Sequence, residues 1–158
     1  MKYKRIYIFG LTASGKTTLA KILSKKLNIK TYSLDDIVFK KKWNERYSQK
    51  IQRKKLREIY TKTKWIIEGV HTKDWIKPVV SRADKVIFLN IPKLTLIKRA
   101  LKRAKEKRKD NKTYEKIKLI YWILKFGPKD YRAHKKDSKK FIEIKSTQDI
   151  KKLVKTLK

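Results

Sequence analysis

The sequence predicts an α/β fold built on a five-stranded, mainly parallel sheet flanked by helices. Three observations carry that expectation. Five short apolar, β-rich runs are spread along the chain and separated by stretches of helical periodicity, the alternation that produces parallel strands joined by helical crossovers. The first run ends in a glycine loop that opens directly into a helix. The 158 residues, without cysteine, suit one compact domain with its own core.

In chain order, Tyr3 to Phe9 alternates β-formers and ends at Gly10, the first strand. Gly10-Leu11-Thr12-Ala13-Ser14-Gly15-Lys16-Thr17 then fits G-x-x-x-x-G-K-[ST] at every fixed position. A chain of this composition would produce that pattern by chance only about 0.003 times. Leu19, Ala20, Ile22, Leu23 and Leu27 continue as a helix. Strand, glycine loop and helix together are the context of a phosphate-binding loop, in which glycines let backbone N–H groups converge on phosphate oxygens and the helix N-terminus adds its positive end. Gly10, Thr12, Ala13, Ser14, Gly15, Lys16, Thr17 and Thr18 are the expected nucleotide contacts. Lys16 reaches the β- and γ-phosphates and the Thr17 hydroxyl is the candidate Mg²⁺ ligand.

Lys30 to Leu34 reads as a second strand, followed by Asp35-Asp36, and a very basic helical pattern covers 44–60. Trp65-Ile66-Ile67 is a buried-type strand ending in Glu68 and Gly69, and Lys85 to Leu89 is another, closed by Pro92. Leu94, Ile97, Leu101 and Ala104 recur at amphipathic spacing. Ile117, Ile120, Tyr121 and Leu124 mark a further helix stopping at Gly127-Pro128. Phe141 to Ile144 is the last strand, and Ile150, Leu153, Val154 and Leu157 the last helix.

Parallel α/β sheets bind ligands beyond the carboxyl ends of their strands. That rule gathers the glycine loop, Asp35, Glu68 and Asn90 along one edge. Glu68, after three apolar strand residues, stands where phosphate-loop enzymes keep the acid that holds Mg²⁺ or its water; the alternative is a strand-end acid facing solvent. Asp35 is positioned to take the proton of an acceptor hydroxyl, whereas a phosphate acceptor requires arginines and no base. The competing role for Asp35 or Asp36 is to cap the next helix.

Composition narrows the remainder. Without cysteine there is no disulfide framework, thiolate zinc site or cysteine nucleophile, and His71 and His134 are the only histidines. The longest uninterrupted apolar run, 119–124, is six residues, far short of the roughly 20 of a membrane span. The basic start followed by Ile6 to Phe9 runs too soon into the glycine loop to be a signal peptide. The expected location is the cytoplasm, with no membrane partner. With 47 Lys+Arg against 14 Asp+Glu, the net charge is +33. Such a surface attracts polyanions whether it arises from lysine-biased composition or serves a real anionic partner. Two stretches concentrate it, 11 Lys+Arg in 40–64 and 12 in 93–118. The four tryptophans, Trp43, Trp65, Trp75 and Trp122, are core candidates, with Trp43 also able to stack on an acceptor base.

The glycine loop, Ser33-Leu34-Asp35-Asp36-Ile37-Val38-Phe39 with Trp43, Trp65-Ile66-Ile67-Glu68-Gly69 and the run from Arg82 to Pro92 together resemble the small phosphate-loop kinases called adenylate-kinase-like or DNA topology modulation proteins. The resemblance spans nearly the whole chain. It implies a P-loop NTPase fold of nucleoside-monophosphate-kinase type over residues 1–158, ATP with Mg²⁺, and a basic helical lid at about 99–132. Arg99 and Arg103 of that lid would be catalytic with Lys16 and Asp35, and Arg108 and Arg132 are further candidates. Glu68 stands where the family usually has Asp, and Val70-His71-Thr72-Lys73 lacks its usual Asn-Tyr.

The expected activity is therefore Mg²⁺-assisted phosphoryl transfer from ATP to a small-molecule acceptor, with nucleosides and nucleotides put forward by the resemblance. The alternative is a nucleic-acid-associated ATPase or polynucleotide-end kinase using the basic surface. A third reading, a non-catalytic nucleotide-binding regulator, is opposed by intact Lys16, Thr17 and Glu68. Oligomeric state has no signature in the sequence.

Overall fold

A computed structural model describes residues 3–41, 45–70, 74–106, 113–126 and 140–156. Along the chain the elements are β1 (Arg5–Gly10), α1 (Lys16–Leu27), β2 (Thr31–Ser33), α2 (Leu34–Val38), β3 (Phe39–Lys41), β4 (Glu45–Arg46), α3 (Gln49–Tyr60), β5 (Trp65–Glu68), a 3-10 turn (Asp74–Ile76), α4 (Lys77–Arg82), β6 (Lys85–Leu89), α5 (Lys93–Glu106), α6 (Thr113–Lys125), β7 (Phe141–Ile144) and α7 (Thr147–Thr156). Five strands form a parallel sheet in the order β2-β5-β1-β6-β7. The five apolar runs are its strands, and the expected fold class holds.

The pleat sorts each strand's side chains alternately onto two faces. Ile6 and Ile8 of β1, Ile66 of β5 and Ile87 of β6 join the core shared with α1, α5, α6 and α7. Tyr7 and Phe9, Trp65 and Ile67, and Val86 and Phe88 join the opposite core, shared with α2, α3 and α4. The Phe9 and Phe88 rings stack at 4.8 Å there. At the amino edge the Asp84 carboxylate accepts from the Arg5 guanidinium and from the backbone N–H groups of Lys4 and Arg5, at 2.7–3.2 Å. This fixes β1 against the turn into β6 and leaves the carboxyl edge to the loops.

Three details differ from the expectations. The helix expected over 44–60 starts only at Gln49, where the Ser48 hydroxyl caps it by accepting from the Ile51 N–H at 3.4 Å. Before it, β3 and β4 pair antiparallel, and the Tyr47 N–H reaches the Val38 carbonyl at 2.9 Å. Lysines and arginines along 40–57 satisfy helical spacing as readily as they line a hairpin, so the cap serine sets the boundary. Second, α2 begins immediately after β2. Third, the 3-10 turn and α4 have no counterpart among the expected elements, because six residues with Pro78 in the first turn are too short to show a period.

Trp43, His71, Arg108, Arg132 and His134 lie outside the described residues, as does part of the expected lid. Its described portions are α5 and α6, which pack on one another. Among the described residues no helix is long and apolar enough to cross a membrane.

Candidate active site

The loop between β1 and α1 alternates backbone handedness. Ala13 has φ 63° and Gly15 φ 99°, and such alternation turns successive N–H groups into one concavity. A Cβ at Gly15 would meet nothing within 4 Å, so glycine is needed there for its conformation rather than for room. The Ser14 N–H closes the turn on the Leu11 carbonyl at 3.2 Å, and the Leu19 N–H begins the helix on Gly15 at 2.9 Å. No side chain caps α1 and no acid occupies its first turn, whereas serines cap α2 and α3. Its leading N–H groups are thus left for an anion.

Lys16 folds back over this loop, its ammonium donating to the Leu11 carbonyl at 3.0 Å. Burial lowers its pKa, Glu68 and Asp35 oppose the shift, and Arg103 adds to it. Glu68 sits two residues after Ile66, so the pleat turns it to the α1 side of the sheet. There it is buried, and its Oε1 accepts from the Thr17 hydroxyl at 3.2 Å. Desolvation raises its pKa, and Asp35 adds a smaller upward push, against the pull of Lys16 and the hydroxyls of Thr17 and Ser33. Asp35 is raised likewise, by burial first, with Lys16 opposing and Asp36 adding. Two carboxyls and one ammonium therefore share one desolvated cluster, which characterises functional sites.

Asp35 and Asp36 fall in the first turn of α2, but neither is its cap. Ser33 is the cap, its hydroxyl oxygen accepting from the Asp35 N–H at 3.3 Å. Sequence reasoning had not assigned Ser33 a role, although a serine before a strand-end Asp-Asp is a recognisable cap signal. The same hydroxyl hydrogen-bonds Glu68 and so ties the end of β2 to the acid on β5. Ser33→Ala is expected to cost about 1 kcal/mol of stability through the lost cap and to raise the Mg²⁺ concentration needed for half-maximal turnover, with Ser33→Thr restoring both. Equal Mg²⁺ dependence in the wild type and the alanine variant would confine Ser33 to capping.

Gly69, directly after Glu68, has φ 134°, and its carbonyl accepts from the Tyr7 hydroxyl at 3.2 Å. A Cβ there would lie 2.8 Å from the Leu34 Cβ, at the head of the helix that carries Asp35. Gly69→Ala is expected to lose about 1–3 kcal/mol in a denaturant melt and to lower turnover by displacing Asp35.

Arg99, expected as a phosphate clamp, donates to the Ser14 carbonyl at 3.3 Å and to the Thr147 hydroxyl at 3.0 Å, bracing the loop against α7. Arg103, one turn further along α5, is exposed and close enough to lower the Lys16 pKa. Asn90 is drawn to the other side of the edge, donating to Glu143 at 2.6 Å. No group of three or more His, Asp or Glu side chains could hold a metal ion by itself among the described residues. The exposed Thr17 hydroxyl and the Glu68 carboxylate are nevertheless hard oxygen donors 3.2 Å apart. They fit Mg²⁺, which takes few protein ligands and completes its octahedron with phosphate and water.

Against known proteins, a family model described as an AAA domain matches residues 6–118. The chain is 26% identical over 130 residues to the shikimate kinase of Aquifex aeolicus, covering 74% of this chain and 77% of that protein. It superposes on the crystal structure of shikimate kinase from Bacteroides thetaiotaomicron with a TM-score of 0.64 at 22% identity, covering 98% of this chain and 96% of that one. For a gluconokinase from Sinorhizobium meliloti the TM-score is 0.61 at 8% identity, with 98% and 89% covered.

Proposed function

Because the chain belongs to the AAA-domain family and is a small P-loop kinase of the nucleotide-kinase superfamily, we propose that it transfers the γ-phosphoryl group of ATP to a hydroxyl of a small molecule. The observation that carries this reading is the desolvated cluster of Lys16, Glu68 and Asp35 beside an uncapped phosphate loop. A carboxylate there, with its ammonium partner already committed to phosphate, has one chemical use for an acceptor: to take a proton.

In this mechanism Gly10, Thr12, Ala13, Ser14, Gly15, Thr17 and Thr18 hold the nucleotide, chiefly through backbone N–H groups, and Lys16 spans the β- and γ-phosphates. Thr17 and Glu68 would hold Mg²⁺, which when bound would supply positive charge against the charge developing on the phosphates. Asp35 accepts the acceptor's hydroxyl proton as its oxygen bonds to the γ-phosphorus. The bond from that phosphorus to the bridging oxygen breaks, and ADP leaves with the electron pair. Arg103 offsets charge on the transferring group, and Arg99 acts through the loop it braces, a positioning residue.

The acceptor class follows from Asp35: a hydroxyl, not a phosphate. The similar proteins are named for shikimate and gluconate, both polyhydroxy acids, while the resemblance to adenylate-kinase-like proteins puts forward nucleosides and nucleotides. A polynucleotide-end kinase would also use a hydroxyl acceptor, so the assay, and not this cluster, separates it from a small-molecule kinase. A cysteine-free kinase domain spanning 1–158 that consumes ATP suits the cytoplasm. The test is ADP formation from Mg·ATP across polyhydroxy acids, nucleosides, nucleoside monophosphates and RNA or DNA ends. Stimulation by a small hydroxyl compound, with a phosphomonoester as product, is the expected result. Stimulation only by nucleoside monophosphates, giving diphosphates, would overturn the role of Asp35 as a base.

A further inference from the structure

On the sheet face opposite α1, α3 and the segment Asp74–Pro78 enclose an open groove of about 560 Å³. Arg53 and Arg57, four residues apart on α3, line one wall on a common helix face, with Tyr60 a turn further along and Lys54 also in the lining. Trp75 and Pro78 form the other wall, and buried Leu56 the floor. The Arg82 guanidinium lies 5.1 Å over the Tyr60 ring, adding a cation at that end. Asp74, the acid in the lining, is already paired with Lys77 at 2.8 Å. Asp74 also attracts Arg53, but with Arg53, Lys54 and Arg57 against this one acid the lining keeps a net positive charge above an aromatic and aliphatic interior. None of its residues takes part in the phosphate loop or the acid cluster.

We propose that this groove binds single-stranded nucleic acid. Guanidinium groups on successive helical turns suit successive phosphates of a strand, to which Arg offers planar, forked donors. Aromatic walls suit bases, and only an unpaired strand can turn its bases into such a wall. A membrane surface is the poorer partner, because the apolar atoms are recessed behind the charges instead of projecting beyond them. The net charge of +33 draws polyanions to the whole surface, and the groove gives one class of them a place where charge and stacking coincide.

The experiment is fluorescence anisotropy with a labelled, unstructured oligouridylate at several salt concentrations. It compares wild type, Arg53→Glu/Arg57→Glu, and a control with the same charge change on exposed α7 residues, Lys151→Glu/Lys152→Glu. The groove variant is expected to bind about tenfold or more weakly near physiological salt, and to lower the slope of log affinity against log salt by about 1.4, two contacts at roughly 0.7 each. The control is expected to stay within about twofold at that salt. Arg53→Gln/Arg57→Gln serves where charge reversal impairs folding, with the same direction expected. Trp75→Ala should weaken oligouridylate severalfold while leaving inorganic polyphosphate binding unchanged. Equal losses in the groove and control variants would overturn the proposal in favour of diffuse charge attraction. Phosphatidylserine vesicles that bind as tightly as the oligouridylate, with the same dependence on Arg53 and Arg57, would overturn it in favour of a membrane.

Discussion

Lys16→Ala is expected to lower kcat/KM by about 10³-fold, the upper range for removing one preorganised donor, because this donor is charged. The ammonium is held on the Leu11 carbonyl at 3.0 Å and has two further protons to give. Burial lowers its pKa, and the neighbouring Glu68 and Asp35 carboxyls oppose that shift. A lysine whose folded pKa is depressed gives up stability when charged, so its removal relieves a cost in the free protein. It also deprives Glu68 and Asp35 of the cation that opposes their upward shifts. Those carboxyls then destabilise the fold more as pH rises through their raised values. The readout is paired: turnover with the best acceptor, and the melting shift produced by saturating Mg·ATP. The wild type should gain the stabilisation that tight binding confers, about 2.7 kcal/mol at a hundredfold excess over Kd, and the variant far less. A variant that turned over normally would remove Lys16 from the chemistry and with it the phosphate-loop reading.

Much of this arrangement is legible in the residues. The glycine loop identifies itself, and the parity of β5 is already written in Ile66 and Glu68, two apart, so that an apolar side chain facing α1 dictates an acid facing α1. The location of Asp35 follows from the rule for sheet edges. What escaped were features decided by contacts between distant segments. Ser33 had to be paired with Glu68, which the chain places 35 positions away, before its hydroxyl could be seen to serve two acids. Arg99 reads as one more cation in a basic helix, and only the approach of Ser14 and Thr147 gives its guanidinium a defined seat. The β3–β4 hairpin was hidden by lysines and arginines compatible with any exposed element. In each case local pattern was informative where burial enforced it and silent where the surface was uniformly basic.

Asp35→Asn is expected to lower kcat by about 10²- to 10⁴-fold, the range for losing a general base, with little change in KM for ATP, since the amide keeps the size of the side chain and leaves the phosphate loop intact. Burial raises the Asp35 pKa above its ordinary value of 3.8, Lys16 resists, and Asp36 adds to the rise. Only the ionised form can accept a proton, so wild-type kcat/KM should climb through a limb displaced upward from the ordinary aspartate value. In the variant the part of that limb due to Asp35 should vanish. The stability consequence has the opposite sign. A carboxyl raised in the folded state costs nothing while protonated in both states, and its cost grows as pH passes from the unfolded value up through the folded one. At neutral pH Asp35 is therefore a net burden on the fold, and Asp35→Asn should melt higher than the wild type while turning over far more slowly. Asp36, the exposed neighbour, is the internal control: Asp36→Asn removes a charge from the same helix turn but should leave kcat within about twofold, as surface changes away from the chemistry do. Large losses in both variants would point to the first turn of α2 as a structural unit. Loss confined to Asp35, joined to a higher melting temperature, is the signature of a base held where the fold alone would not choose to keep it.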